Sequence, residues 1–150
     1  YSGYNAYGEG WALYGERLAS ELGAYQDDPR GDLGRLGDEL WRAKRLVVDT
    51  GIHYKKWTRE QAIDYMSGGI SPASIDTVIE VERYFVWPGQ ALGYKVGQLK
   101  ILQLRDKARK ALGAKFALKD FHNVVLTNGS LPLTLLEQLV DEYIARKRIS

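Results

Sequence analysis

The spacing of the apolar residues constrains the fold of this chain more than any other feature of its sequence. Apolar residues recur every three or four positions over long stretches, and no run shows the strict alternation that a half-buried strand requires. Only four prolines interrupt the 150 residues, and the first of them is Pro29. Because proline is the strongest helix breaker, the sequence predicts an all-α fold of several helices.

Capping residues, glycines and prolines indicate where these helices begin and end. Seven helices are predicted, at about residues 7–25, 32–57, 58–66, 71–86, 88–112, 120–126 and 131–148. Thr58 and Gln61 have the spacing of a capping box. Ser71 directly before Pro72 is typical of an N-cap. Gly113 is predicted to end the fifth helix.

The second predicted helix has Asp32 as its N-cap and carries a regular apolar stripe. The stripe consists of Leu33, Leu36, Leu40, Ala43 and Val47. No internal repeat, low-complexity tract or linker divides the chain. Residues 1–150 are therefore predicted to form one unit.

Composition excludes several classes of protein. The absence of cysteine removes disulfide scaffolds, thiolate metal sites and cysteine nucleophiles. The formal net charge of +2 is too small to indicate binding to nucleic acid. No apolar run approaches the roughly 20 residues of a membrane span. The chain also lacks HExxH, GxSxG, Walker and GxGxxG motifs.

Two glutamates of the first predicted helix lie among glycines. Glu9 and Glu16 fall along one line, because seven residues make nearly two helical turns. Gly8, Gly10 and Gly15 surround them, and each interior glycine costs about 0.5–1 kcal/mol relative to alanine. The glycines predict a very close approach of another group to this backbone. The alternative is a glycine-notched helix crossing with solvated carboxylates at its edge.

The second predicted helix places Asp49 four residues before His53. A carboxylate and an imidazole at this spacing share a face and are predicted to form a hydrogen bond. Such a bond fixes the tautomer of the imidazole and raises its basicity, which suits an electrophile, a proton carrier or a metal ligand. The alternative is a surface pair that contributes little.

A carboxylate interrupts the apolar stripe of the fourth predicted helix. The stripe runs through Ile75, Val78, Ile79, Phe85 and Val86. Glu82 falls on it, so this side chain is predicted to be buried. A buried carboxylate needs a partner, and the candidates are Arg83, Arg42 and Arg45. A structural ion pair and a functional role remain equally open.

The start of the fifth helix carries Gln90 and Tyr94 on one face. Free N–H groups and the positive end of the helix dipole favour an anion there, and Tyr94 has a hydroxyl to donate. An ordinary core tyrosine is the alternative. His122 has no carboxylate three or four residues away and is interpreted as structural.

Four segments resemble, in the same order, the C-terminal part of a bacterial family called domain of unknown function 885. They are EGWALYGERLASELGAY, ELWRAKRLVVDTGIHYKKWTREQAIDYM, EVERYFVWPGQALGYKVGQLKILQLR and FHNVVLTNGSLPLTLLEQLV. Members of this family look like gluzincin-type zinc metallopeptidases. The resemblance implies that residues 1–150 are the C-terminal helical part of a larger catalytic domain, which agrees with a first residue, Tyr1, that is not methionine.

The resemblance also implies roles for the two glutamates of the first helix. Two histidines and a glutamate base of an HExxH helix lie upstream, outside this chain. Glu9 matches the third zinc ligand, and Glu16 matches a group that orients a ligand histidine. The expected cofactor is therefore a zinc ion shared with the N-terminal remainder of the same protein.

Gluzincins stabilise the oxyanion of amide hydrolysis with a tyrosine and a histidine on later helices. By this resemblance His53, oriented by Asp49, and Tyr94 are the candidate donors, and Tyr84 is the reserve. Arg83 is the candidate for binding a substrate carboxylate bidentately.

The expected function is zinc-dependent hydrolysis of a peptide or small amide substrate. A non-peptide amide is an alternative substrate. The alternative of another class is a helical binding or scaffolding module that has lost catalysis. Many relatives look exported or lipid-anchored, so a periplasmic or otherwise exported location is favoured over the cytoplasm.

Overall fold

The computed structural model describes residues 3–69 and 72–149, and these residues form seven α-helices without a β-strand. The helices are α1 (Asn5–Glu21), α2 (Pro29–His53), α3 (Arg59–Ser67), α4 (Ile75–Val86), α5 (Gly93–Leu112), α6 (Leu118–Leu126) and α7 (Leu133–Ile149). Short 3₁₀ turns, Gln90–Leu92 and Gly113–Lys115, flank α5. The all-α prediction is confirmed. In the described part of the chain, no helix is long and apolar enough to cross a membrane.

Two helices begin at caps other than those predicted from the sequence. Asp28, rather than Asp32, caps α2, and its carboxylate accepts a hydrogen bond from the Gly31 N–H. Pro29 then occupies the first helical position, where its fixed φ suits a helix and its missing N–H costs nothing. Ser74 caps α4, while the predicted cap Ser71 lies outside the described residues.

The predicted capping box at the start of α3 is confirmed. The Thr58 hydroxyl accepts from the Gln61 N–H at 3.2 Å, and the Gln61 side chain accepts from the Thr58 N–H at 2.9 Å. We expect Thr58→Ala to lower the free energy of unfolding by about 1 kcal/mol, because the Gln61 N–H loses the hydroxyl that accepts its hydrogen bond. Urea unfolding followed by circular dichroism measures the change.

Thr50→Ala is the control for this capping prediction. The Thr50 hydroxyl only bonds carbonyl oxygens of its own helix, so its removal should change stability by less than about 0.5 kcal/mol. Equal losses in the two variants would refute the capping argument.

Glycines bring α1 and α5 into backbone contact. Gly10 lies against the backbone of Gly97, and Gly97 also lies against the carbonyl of Ala6. Near the start of both helices the Asn5 side chain fills the space beside Gly93. Asn5 lies beside Gly93, and Gly10, farther along α1, lies beside Gly97, farther along α5. The two helices therefore run parallel. The close approach predicted for the glycines of α1 is confirmed at Gly10, where α5 crosses, and is absent at Gly8 and Gly15, where an added Cβ would meet no described atom within 4 Å.

The buried apolar residues form two clusters. One joins α1, α5, α6 and α7, and its largest buried side chains include Tyr14, Ile101, Leu104, Phe121 and Leu136. The other joins α2, α3, α4 and the turn before α5, and it includes Val48, Ile52, Met66, Val81 and Tyr84. The α1–α5 contact therefore lies beside one cluster, while α2 and α4 build the other.

The predicted inner face of α4 is wrong. The buried residues of α4 are Thr77, Val81 and Tyr84, whereas Ile75 and Ile79 of the predicted stripe are exposed. Glu82 accordingly points to solvent with 52% of its side chain accessible, and Arg59 donates to it at 2.9 Å. The error arose because α4 has apolar residues on two faces, and the more regular face is not the one packed inside this chain.

Candidate functional site

A carboxylate–guanidinium cluster joins α2, α4 and the turn before α5. Arg45, Arg83 and Tyr84 all bond the same oxygen of Glu80, Oε1, at 2.8, 2.7 and 2.8 Å respectively. Arg83 also donates from Nη1 to the Gln90 side chain at 2.7 Å. We call these five residues the Glu80 cluster.

The cluster keeps Glu80 ionised. Burial by itself would raise the pKa of Glu80, but hydrogen bonds from Arg83 and Tyr84 and the charge of Arg45 outweigh it and lower that pKa below the ordinary value. The pKa of Tyr84 is raised, first by burial and then by its bond to Glu80. Tyr84 is therefore a neutral donor to a charged carboxylate.

Two of the predicted substrate-binding residues are held by this cluster. Arg83 does bind a carboxylate bidentately, but the carboxylate is that of Glu80. Tyr84 is fully buried, and its hydroxyl hydrogen points to Glu80. The role of Tyr84 as a reserve oxyanion donor stays a prediction, and in this arrangement both residues hold Glu80 in place.

Tyr94 presents a different case, because its hydroxyl has no hydrogen-bond partner among residues 3–69 and 72–149. The guanidinium of Arg45 lies over the Tyr94 ring, 4.5 Å from its centroid. Arg45 Nε and Nη1 are buried without a hydrogen-bond acceptor in the described chain, as expected for a guanidinium stacked on a ring. The stack fixes the ring of Tyr94 while leaving its hydroxyl available.

The predicted hydrogen bond between Asp49 and His53 is not formed. The buried carboxylate of Asp49 accepts from the Gly89 N–H, at 3.0 Å to the nearer oxygen. His53 Nε2 instead donates to the Tyr84 carbonyl at 2.9 Å, since a carbonyl oxygen can only accept. Gly89 has a φ of +78°, so Asp49 stabilises the left-handed turn that leads into α5. His53 is half-buried beside α4.

Glu9 is the unpaired carboxylate of α1. It is half-buried and makes no hydrogen bond or ion pair with the described residues. Its helix also carries Glu16, 3.8 Å from Arg42, and Glu21, which bonds Arg105 at 2.6 Å. Both of those glutamates are therefore neutralised within the chain, and Glu9 is not.

Asn5 connects the beginning of α1 to the Glu80 cluster. Its side-chain amide donates to the Gln90 carbonyl at 2.7 Å, and Gln90 in turn bonds Arg83. Glu9 follows Asn5 by four residues, about 6 Å farther along the axis on nearly the same face. The fold therefore places Glu9 one turn from the residues that lead to the Glu80 cluster.

A second polar network joins α1, α5 and α6 around His122. Arg105 donates to the Tyr14 hydroxyl at 3.2 Å, which leaves the hydroxyl hydrogen for His122 Nε2 at 2.7 Å. Burial, and then the charge of Arg105, lowers the pKa of His122, so the imidazole is neutral and accepts this bond. The contacts agree with the structural interpretation of His122.

Glu80 and Arg45 are the members of the site that sequence reasoning missed. A usable signal was present, because Glu80 precedes Arg83 by three residues and Tyr84 by four, which puts all three on one face of α4. Arg45 was considered only as a partner of Glu82.

Comparison with known proteins gives the family of the chain but not its activity. A crystal structure named "putative lipoprotein" from Colwellia psychrerythraea is 60% identical and superposes with a TM-score of 0.91. The match covers 95% of this chain and 24% of that one, so the chain spans about a quarter of its solved relative. No curated protein matches. The family described as "Bacterial protein of unknown function (DUF885)" matches residues 1–140, and the chain belongs to the DUF885 family.

Proposed function

We propose that this chain contributes to zinc-dependent hydrolysis of a peptide or small amide bond, with Glu9 as one zinc ligand. One observation carries the proposal: Glu9 is a half-buried carboxylate without a partner in the described chain, on a helix fixed by backbone contact with α5. A buried or half-buried carboxylate is stable when a cation neutralises it. Arg42 neutralises Glu16 and Arg105 neutralises Glu21. We propose that the cation that neutralises Glu9 is a zinc ion.

The described residues can supply one ligand of a zinc site, the Glu9 carboxylate. A carboxylate oxygen is an ordinary zinc ligand, but the described residues contain no group of three or more side chains that could hold a metal by themselves. The Nε2 atoms of His53 and His122 are both engaged inside the chain. We therefore propose that two histidine ligands and a glutamate base come from outside this chain, from the N-terminal part of the same protein.

Zinc held by one carboxylate and two imidazoles supplies Lewis acidity, which polarises a carbonyl and lowers the pKa of a water molecule. This chain's own contribution is to place donors and charge. The free hydroxyl of Tyr94 is the donor we propose for a developing oxyanion, and Arg45 holds its ring. We retain Glu16 as the proposed orienting group for a ligand histidine. We do not retain His53 as a second donor, because its Nε2 hydrogen is bound by the Tyr84 carbonyl.

Metal analysis of the protein expressed from its complete reading frame tests the proposal. We expect about one zinc per molecule in the wild type and almost none in Glu9→Gln, with hydrolysis of a peptide library lost in parallel. Glu82→Gln is the control, because it also removes one carboxylate but lies at the surface. Zinc retained at full occupancy in Glu9→Gln would exclude Glu9 as a ligand.

A non-catalytic binding or scaffolding module is the second candidate function. The exposed apolar faces of α2 and α4 favour it, because such faces are typical of surfaces that contact a partner. If the protein expressed from the complete reading frame binds no zinc and hydrolyses no peptide, the result would favour this alternative. Under either function we propose an exported location, which the name of the solved relative supports.

A further inference from the structure

The apolar stripe of α2 faces away from both buried clusters. Leu33, Leu36 and Leu40 remain 69%, 48% and 59% exposed, and Val47 is 38% exposed. With Ala43 these residues alternate in steps of three and four, which is the seam spacing of a helix that packs against another helix. We call Leu33, Leu36, Leu40, Ala43 and Val47 the α2 stripe.

A glycine flanks the α2 stripe: Gly37 lies four residues after Leu33 and three before Leu40. A Cβ added at Gly37 would meet no atom of the described residues within 4 Å. By contrast, Gly51 in the same helix lies against the Trp57 ring, and Gly10 lies against α5. Interior glycines weaken a helix relative to alanine, and close backbone approach is one structural reason for them. No described residue makes such an approach at Gly37.

We propose that the first half of α2 is a docking surface for an amphipathic α-helix from the remainder of the same polypeptide. The steps of three and four fit the grooves of a facing helix, and the bare backbone at Gly37 lets that helix come close to one flank of the stripe. The solved relative, 60% identical, is about four times as long as the matched region, so a member of this family has abundant chain to supply the helix. The proposal is independent of zinc.

Cysteine accessibility tests the docking surface, since this chain has no cysteine of its own. Leu36→Cys is placed on the stripe, and Asp38→Cys on the opposite face of α2 is the matched control, with 65% of its native side chain exposed. Each variant is made in the 150-residue chain and in the protein expressed from the complete reading frame. The rate of alkylation by N-ethylmaleimide is read by peptide mass spectrometry at the introduced cysteine.

The expected result is that Leu36→Cys reacts at least about tenfold more slowly in the complete protein than in the 150-residue chain. Asp38→Cys should react at similar rates in both. Equal rates for Leu36→Cys, or equal protection of both positions, would overturn the proposal.

Other occupants of the stripe have their own signatures. Protection in the 150-residue chain that grows with protein concentration would assign the stripe to a second copy. Protection that needs added phosphatidylcholine–phosphatidylglycerol vesicles would assign it to a membrane surface. A complete reading frame that encodes only these 150 residues would exclude a helix from the same polypeptide. Each of these results would overturn the proposal.

Discussion

Replacing Gly97 by alanine is expected to lower the free energy of unfolding by about 3 kcal/mol. The added Cβ would overlap the Ala6 carbonyl oxygen and would stand 2.7 Å from the Gly10 Cα. Both are backbone atoms of α1, so no flexible side chain can move aside and the two helices must separate. Separation would loosen the cluster that α1 and α5 share with α6 and α7. Urea unfolding of the 150-residue chain, followed by circular dichroism, measures the loss.

Gly15→Ala is the matched control on α1. It is the same substitution in a helix interior, but the added Cβ would meet no atom within 4 Å. We expect it to stabilise the chain by about 0.5–1 kcal/mol, because alanine loses less conformational freedom on folding. The two substitutions should therefore have opposite signs. A loss at Gly15 as large as that at Gly97 would mean that helix contact is not the cause.

Local features of the fold were predictable from the sequence because their causes lie within a few residues. The capping box of Thr58 and Gln61 needs only its own four-residue spacing. Gly113 ends α5 with a φ of +52°, which glycine adopts without strain. The glycines of α1 predicted a close approach, although not that Gly97 would be the partner. Such signals located the helices to within a few residues.

Which face of each helix packs against the rest of the chain was not predictable in the same way. Periodicity detects an apolar face but does not say what covers it, and both α2 and α4 carry a regular apolar face that this chain leaves exposed. Glu82 was therefore placed inside, and Glu80, two residues earlier, was overlooked. The prediction of a hydrogen bond between Asp49 and His53 was wrong for a related reason. The N–H of Gly89, forty residues away from Asp49 in sequence, donates to the Asp49 carboxylate. Contacts of this kind depend on tertiary structure.

Glu80→Gln is expected to lower the free energy of unfolding by about 3 kcal/mol at neutral pH. The substitution removes the negative charge that Arg45 and Arg83 share at 2.8 and 2.7 Å. The side chain of Glu80 is only 17% exposed and that of Arg45 only 12%, so water compensates the Arg45 guanidinium poorly once the carboxylate is gone. Thermal and urea unfolding of the 150-residue chain measure the change.

The pH dependence and a neighbouring control separate this ion pair from a general effect of charge. The pKa of Glu80 is lower in the folded chain than its ordinary 4.5, so its contribution is present above that pH and is lost as the pH falls through the folded pKa. The stability difference between wild type and Glu80→Gln should therefore shrink below about pH 4.5. Glu82→Gln breaks the exposed pair with Arg59 and should cost only about 0–1 kcal/mol. Similar losses in the two variants, or a difference that persists in acid, would contradict the role of Glu80 as the partly buried anion that holds α2 to α4.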